Sequence, residues 1–196
     1  MKKFLTVIFL VVFTQTLLAQ PDRIGLGLDF STGLMFNTQK TGNPGFLAKT
    51  WLRLDKRGEF YLVPSVAAYN RYRISNGYMI LKNYMFQGDL DGQFQIYREK
   101  TLKVIGFAGA NFTWLISDFE PIVITGNETL TDLSDMAIGG NAGLGLEMRM
   151  SASFDFNVNG KYTMSRSLNN DIFYKQVIIS VQAVYYFRAR RVGAWY

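Results

Sequence analysis

From residue 23 onward the chain alternates apolar and polar side chains at period two. The stretches are longer than the roughly 5–6 residues of an average soluble strand. In the first, Ile24, Leu26, Leu28, Phe30, Leu34 and Phe36 share one parity; Gly25, Gly27, Asp29, Ser31, Gly33 and Asn37 hold the other. The second sets Phe46, Ala48, Leu52 and Leu54 against Lys49, Trp51 and Arg53. The fourth sets Tyr84, Phe86, Leu90, Phe94 and Ile96 against Gln87, Asp89, Asp91, Gln93 and Gln95. The fifth opposes Val104, Gly106, Ala108, Ala110, Phe112 and Trp114 to Lys103, Gly109, Asn111 and Thr113.

The later stretches repeat the pattern. Met136, Ile138, Ala142, Leu144, Leu146 and Met148 oppose Gly139, Asn141, Gly143, Gly145, Glu147 and Arg149. Phe154, Phe156, Val158, Tyr162 and Met164 oppose Ser153, Asp155, Asn157, Asn159, Lys161 and Thr163. The last runs from Phe173 to Phe187, with Val177, Ile179, Val181, Ala183, Tyr185 and Phe187 on its apolar side. Only the third stretch, Phe60 to Ile74, resists assignment. Pro64 cannot donate a ladder hydrogen bond, and a bulge there would flip every later face, so no faces are assigned past it.

The connections alternate in length. Asp55 to Gly58, Arg98 to Lys100 and Arg149 to Ser151 read as tight turns; Asn37 to Gly45, Arg73 to Asn83, Ser117 to Asp135 and Ser165 to Asp171 are longer. About eight strands joined in this way predict an all-β, up-and-down antiparallel barrel of the transmembrane kind, with short turns on the periplasmic side.

Composition separates this from other folds. Of 196 residues 15% are aromatic and only 18% charged, below the roughly 25% usual for soluble domains. No later stretch approaches the ~18 apolar residues of a spanning helix. Residues 1–19 have the parts of a secretory signal peptide: Lys2-Lys3, the apolar run Phe4 to Phe13, and a cleavage site after Ala19. The domains are therefore a signal peptide (1–19), a barrel (20–187) and a basic, aromatic tail (188–196). Part of the net charge of +6 lies in Lys2, Lys3, Arg188, Arg190 and Arg191, so it does not argue for nucleic-acid binding.

A soluble lipocalin-like barrel would also alternate, with its apolar face turned inward. The polar parity here is mostly Gly, Ser, Asn, Gln and Thr, which suits a lumen better than a water-exposed exterior. Threading the strands alternately also sorts aromatics by depth. Phe36, Phe46, Tyr84, Phe86, Phe112, Trp114, Tyr162 and Phe173 fall near the loop end, and Phe60, Phe94, Phe154, Tyr185 and Phe187 near the turn end. Two aromatic girdles around an aliphatic band suit a bilayer, where amphipathic rings settle at the headgroups.

The junction Leu17-Leu18-Ala19-Gln20, the strand Asn141-Ala142-Gly143-Leu144-Gly145-Leu146-Glu147 and the ending Val184-Tyr185-Tyr186-Phe187 carry a resemblance. Residues 23 to 187 resemble the small eight-stranded outer-membrane barrels, the OmpA/OmpX-like group, and especially the "porin family" barrel domains of Bacteroidota. The chain departs from that group in continuing past Phe187, where such chains commonly stop. The resemblance implies a fold and a place in the outer membrane, with no particular activity.

The sequence has no histidine and no cysteine. The outer-membrane barrel enzymes rely on a catalytic histidine, so the expectation is no enzyme, no catalytic residues, no cofactor and no metal. Asp89 and Asp91, which with Glu147 invite an acid–base or cation-site reading, are read instead as lumen filling. The expected lumen network comprises Lys49, Arg53, Lys103, Arg149 and Lys161 facing Asp29, Asp89, Asp91, Glu147 and Asp155, an equal number of each sign. Such a set can pair with itself and plug a narrow barrel. The alternating glycines from Gly139 to Gly145 make room for bulky lumen neighbours such as Trp51.

The expected role is structural or interactive, by loops or tail, in contact with outer-membrane lipid. Partner contacts are expected at residues 117–135, where Ile122 to Thr131 reads as strand, turn and strand, or at the tail, in a monomer or within an envelope complex. A subunit or assembly helper of a secretion or envelope complex stays open as an alternative, as does a narrow transporter or membrane enzyme. For processing, the intact mass of protein purified from outer membranes is expected to begin at Gln20. A mass that retains residues 1–19 contradicts the signal-peptide reading.

Overall fold

A computed structural model describes residues 21–187 apart from 36–38, 56, 76–78, 122–132, 170 and 172; side chains are described except also at 21, 32–35, 39–42, 70–75, 79–83, 117–121 and 133. The signal-peptide and tail readings, and Phe36, lie outside the described residues. Eight strands follow in order: β1 (Pro21–Met35), β2 (Gln39–Arg53), β3 (Phe60–Ser75), β4 (Met79–Arg98), β5 (Leu102–Pro121), β6 (Leu133–Arg149), β7 (Phe154–Ser167) and β8 (Phe173–Tyr186). Each pairs antiparallel with the next, and β8 returns to β1, closing the barrel. The stagger shows in a single row of partners. Starting at Leu26, it runs through Ala48, Val66, Gly88, Phe112, Ile138 and Arg166 and reaches β8 at Phe173, although Leu26 itself pairs with Ala183. Closing a tilted sheet requires this offset.

Period two decides the faces. Along β8 the burial alternates without a break: Tyr174, Gln176, Ile178, Ser180, Gln182, Val184 and Tyr186 point inward, and Val177, Ile179, Val181 and Tyr185 outward. Leu26, Val66 and Leu144 are each more than 60% exposed, while Asp29, Asn157 and Glu147 are at most 2% exposed. The exterior is apolar and the interior polar, the reverse of a soluble barrel and the arrangement that hydrocarbon demands. Phe46, Phe60, Phe86, Phe94, Phe112, Trp114, Phe154, Tyr162, Phe173, Tyr185 and Phe187 are all on the exposed face, and Tyr84 is half-buried.

The structure settles β3. Tyr61, Val63, Ser65, Ala67 and Tyr69 are buried, and the alternation crosses Pro64 unbroken. Pro64 pairs in register with Leu90 on the β4 side. On the β2 side the ladder lapses between Lys49↔Ser65 and Leu52↔Leu62, then resumes with unchanged register. The proline removes a hydrogen bond without inserting a residue, so no face flips. The irregularities fall instead between Pro21 and Arg23, Tyr69 and Tyr72, and Gln95 and Tyr97.

The longer connections are shorter than the sequence suggested. Residues 39–45 belong to β2, 73–75 and 79–83 to β3 and β4, and 117–121 and 133–135 to β5 and β6. Cross-strand pairing continues there, as at Met35↔Gln39, Ser75↔Ile80 and Ser117↔Leu133. Strands of 20 residues, β4 and β5, far exceed the ~9–11 needed to cross a bilayer. Pairing between β2 and β3, however, stops at Gly45↔Tyr69, so beyond that level the wall opens between β1–β2, which β8 still joins as far as Leu34↔Lys175, and β3–β4–β5, which β6 joins as far as Ser117↔Leu133. The tight turn after β2 is built locally. Asp55 accepts hydrogen bonds from the backbone N–H groups of Arg57, Glu59 and Phe60, and Gly58 takes the left-handed conformation at φ 71°. Desolvation raises the Asp55 carboxyl, but the backbone donors of Phe60, Glu59 and Arg57 together hold it below its usual range.

A cation on the lipid face should be far more costly than one in the lumen. Arginine at Ala108 or Leu144 is expected to cost roughly 2–4 kcal/mol in folding titrations in lipid vesicles. Arginine at buried Asn141 is expected to cost less, and equal or inverted costs would contradict the assignment of the faces.

Candidate functional site

The inward-facing side chains are the one dense collection of polar chemistry among the described residues, and they fall into tiers. The tier at the turn end centres on Arg23, which is 1% exposed. Arg23 Nη1 donates to Glu147 Oε2 at 2.9 Å and to the Tyr186 hydroxyl at 2.6 Å. Lys103 Nζ reaches the same Glu147 oxygen at 3.2 Å. Gln93 donates to Glu147 Oε1 and accepts from Trp51 Nε1, while the Tyr186 hydroxyl donates to Asp155. The guanidinium also lies 4.6 Å from the Trp51 ring centre, 4.9 Å from that of Tyr61 and 5.3 Å from that of Tyr186. A buried cation is costly unless paired, and here carboxylate and aromatic faces both compensate it.

The middle tier is built on Asp89. Its carboxylate accepts from Lys161 at 2.5 Å, Gln87 at 2.8 Å, Ser65 at 3.2 Å and Asn141 at 3.3 Å. Tyr69 donates to Asp29 at 3.0 Å. Lys49 forms no ion pair among the described residues, and its ammonium stands 5.7 Å from the centre of the Phe107 ring. Towards the loop end, Asp135 accepts from Tyr174, Ser167 and Asn169, tying β6 to β7 and β8.

The structure therefore places Asp29, Lys49, Asp89, Asp91, Lys103, Glu147, Asp155 and Lys161 inside the barrel. Two residues assigned to the lumen lie elsewhere. Arg53, on the inward parity, opens at the turn-end mouth, where it is half-exposed and binds both oxygens of Asp22 at 2.9 Å. Arg149 sits on the same rim, at the turn between β6 and β7, partly exposed and donating to the Ser151 carbonyl. At the rim such long cationic side chains can reach water, whereas Lys103, also at a strand end, is drawn inward by Glu147.

Sequence reasoning missed Arg23 and the apolar part of the filling. Arg23 shares parity with Gly25 and Asp29, which was the available signal. Leu47, Ala67, Tyr69, Met85, Leu115, Ala137, Tyr174 and Ile178 form one apolar cluster inside, and Trp51, Tyr61, Val63, Val184 and Tyr186 another. The glycine reading needs a correction too. Trp51 lies on Gly25 of β1, where a Cβ would stand 2.8 Å from the ring; Gly143 of β6 instead admits Phe107, with a Cβ 2.5 Å from that ring.

Asp89 is engaged by four donors and Glu147 by two cations and an amide, and they belong to different tiers. Among the described residues no group of His, Cys, Asp and Glu converges to hold a metal. Asp29 Oδ1, Asp91 Oδ1 and the amides of Asn157 and Gln182 have no protein partner, so the interior keeps polar capacity beyond its own pairings.

No family model matches the sequence, and no curated protein matches it with significance. Solved structures do match the fold. The Neisserial surface protein A superposes with a TM-score of 0.63 at 10% identity, over 84% of this chain and 96% of that one. Ail, the attachment invasion locus protein of Yersinia pestis, gives 0.55 at 14% identity, over 85% and 99%. The N-terminal β-barrel domain of Pseudomonas aeruginosa OprF gives 0.53 at 10%, over 85% and 100%. The fold is thus that of the small outer-membrane β-barrels, and the apolar exterior places the chain in that membrane.

Replacing Arg23 tests the turn-end cluster. Arg23→Met should leave Glu147 under-compensated and destabilise the barrel by about 3–5 kcal/mol, with Arg23→Met/Glu147→Leu recovering part of the loss. Urea titration followed by the electrophoretic shift of folded barrel measures both. A cost below ~1 kcal/mol, that of an exposed pair, would contradict a buried keystone.

Proposed function

We propose that this protein is a non-conducting outer-membrane barrel that acts through its ends, presenting the loop-end strands to a binding partner while the lumen stays plugged. The observation that carries this reading is the filling of the interior. The Arg23–Glu147 cluster occupies the turn end, the Asp89–Lys161 cluster the middle, and apolar side chains such as Leu47, Met85, Leu115 and Ile178 pack around them. An eight-stranded barrel has a lumen only just wide enough for side chains to fill. Catalysis has no support in this arrangement, since the interior carboxylates that approach a hydroxyl or amide are held by it as acceptors.

The loop end supports the binding role. β4 and β5 pair on as far as Met79↔Pro121, while no ladder joins β2 to β3 beyond Gly45↔Tyr69. Unpaired strand edges are a ready surface for strand addition by a peptide or protein. A structure of Ail with a heparin analogue is a precedent for a ligand bound to a barrel of this fold. The tail 188–196, with Arg188, Arg190, Arg191, Trp195 and Tyr196, is a second contact region, suited to anionic headgroups or a periplasmic protein.

Single-channel recording of refolded protein in a planar bilayer is the test. No stable, reproducible open level is expected at wild-type sequence. Steady ohmic openings would overturn the plugged reading.

A further inference from the structure

Charge is nearly absent from the face that meets lipid. Away from the turn-end rim, the described outward side chains of the eight strands include only two charged ones, Arg166 of β7 and Lys175 of β8, both exposed. They are neighbours. Arg166 pairs in register with Phe173, and Met164 with Lys175, so the two cations sit diagonally across one face of the β7–β8 pair. Both lie at the loop end of their strands.

Their surroundings leave the patch positive. On the loop side the exposed Asp171 meets Arg166, Oδ1 to Nη2 at 2.7 Å, and the guanidinium stands 5.8 Å from the centre of the Phe173 ring. Lys175 has no ion pair among the described residues. Its register partners are Met164 on β7 and Leu34 on β1. Asp135, the other described acid at this end of β6 to β8, is on the inward parity and accepts from Tyr174. The acids of outward parity, Asp118 and Glu120, belong to β5. The partner row of Arg166 runs through Ile138 to Phe112, and Asp118 is six residues further along that strand, ~20 Å at the rise of a strand. Towards the membrane interior the wall is apolar, with Tyr162, Met164, Val177 and Ile179 exposed.

A cation on the lipid face is costly at the midplane and tolerated near the headgroups. Two of them side by side repel unless an anion lies between. With loops on the outer side, as in barrels of this topology, this pair stands at the outer headgroup level, where the rings of Tyr162 and Phe173 also belong.

We propose that Arg166 and Lys175 form a seat for the phosphate of an anionic outer-leaflet lipid. Lys175 supplies the charge that no carboxylate balances. Arg166, fixed by Asp171 through one nitrogen, keeps further N–H donors for the phosphate oxygens. Met164 and Val177 carry the acyl chain below. Because both cations stand on the wall that meets lipid, the phosphate is a lipid's. A zwitterionic headgroup brings its own cation to Lys175 and gains less.

Native mass spectrometry tests this on barrel released from nanodiscs that hold phosphatidylglycerol and phosphatidylcholine in equal amounts. Wild-type protein is expected to retain phosphatidylglycerol several-fold over phosphatidylcholine. Arg166→Gln/Lys175→Gln is expected to fold with the wild-type electrophoretic shift and to show no preference, while Lys175→Arg keeps it. Arg57→Gln/Lys100→Gln, which removes the same charge from exposed sites at the turn end, is also expected to keep it. Equal retention of the two lipids at wild type would overturn the proposal. A preference that survives Arg166→Gln/Lys175→Gln would do the same, as would one lost equally in the turn-end variant, which would be an effect of net charge. Displacement of phosphatidylglycerol by millimolar inorganic phosphate would assign the seat to a soluble anion and overturn the lipid assignment.

Discussion

Within hydrocarbon, every backbone N–H and C=O must find its partner inside the chain, and the rest of this structure follows from that constraint. A sheet meets it only by closing on itself, and β8 does so by pairing with β1 from Arg23↔Tyr186 to Leu34↔Lys175. Closure with alternating side chains forces one parity into lipid and the other into a narrow interior. The lipid parity must be apolar, which accounts for an exterior of Leu, Val, Ile and aromatic residues. The inner parity is free to be polar, but an eight-stranded barrel leaves it little room.

That confinement explains the interior chemistry. Charges brought into so narrow a space gain most where a partner stands beside them. Arg23 is held by Glu147, Tyr186 and aromatic faces, and Asp89 by Lys161 and three neutral donors. The apolar clusters share the space with these networks, so the filling combines packing and pairing. Near the loop end the constraint relaxes, because backbone groups can bind water. There the β2–β3 ladder stops at Gly45↔Tyr69, and the wall opens between the two strands.

Most of the fold could be read from the amino-acid order because period two is a direct consequence of strand geometry. The faces of β4 to β8 followed from residues such as Asp89 and Asp91, or Asn157 and Asn159, lying on one parity between apolar neighbours. Strand ends were less legible. Polar segments such as 39–45 and 117–121 look like loops, yet cross-strand hydrogen bonds extend them as strands, and those bonds are invisible to a local pattern. Pro64 promised a bulge but merely lost a bond, because register is also set by β4 on its other side.

The candidate site was legible in composition but not in its assembly. Parity put Asp29, Lys49, Asp89 and Glu147 on the inward-facing side, yet nothing in the spacing tells that Arg23 of β1 meets Glu147 of β6. Such a meeting depends on the stagger of the closed barrel. Arg53 and Arg149 have the inward parity but are held at the turn-end rim, by Asp22 and by the Ser151 carbonyl, whereas Lys103, as near a strand end, is drawn inside by Glu147. Apolar inward residues such as Leu47, Ile105 and Phe107 were missed because the inner parity was read for its polar residues, with Trp51 the one bulky side chain placed there.

The central claim is that the interior is closed to solvent traffic at both ends. The chain has no native cysteine, so a single one can report on it. Ser180, at mid-strand on the inner face and 2% exposed, is the place for it. In folded Ser180→Cys protein reconstituted in vesicles, a membrane-impermeant thiol reagent added on both sides should label the site hardly at all. The same reagent should label it fully after unfolding. Rapid labelling of the folded barrel would show a water-filled passage and contradict the account.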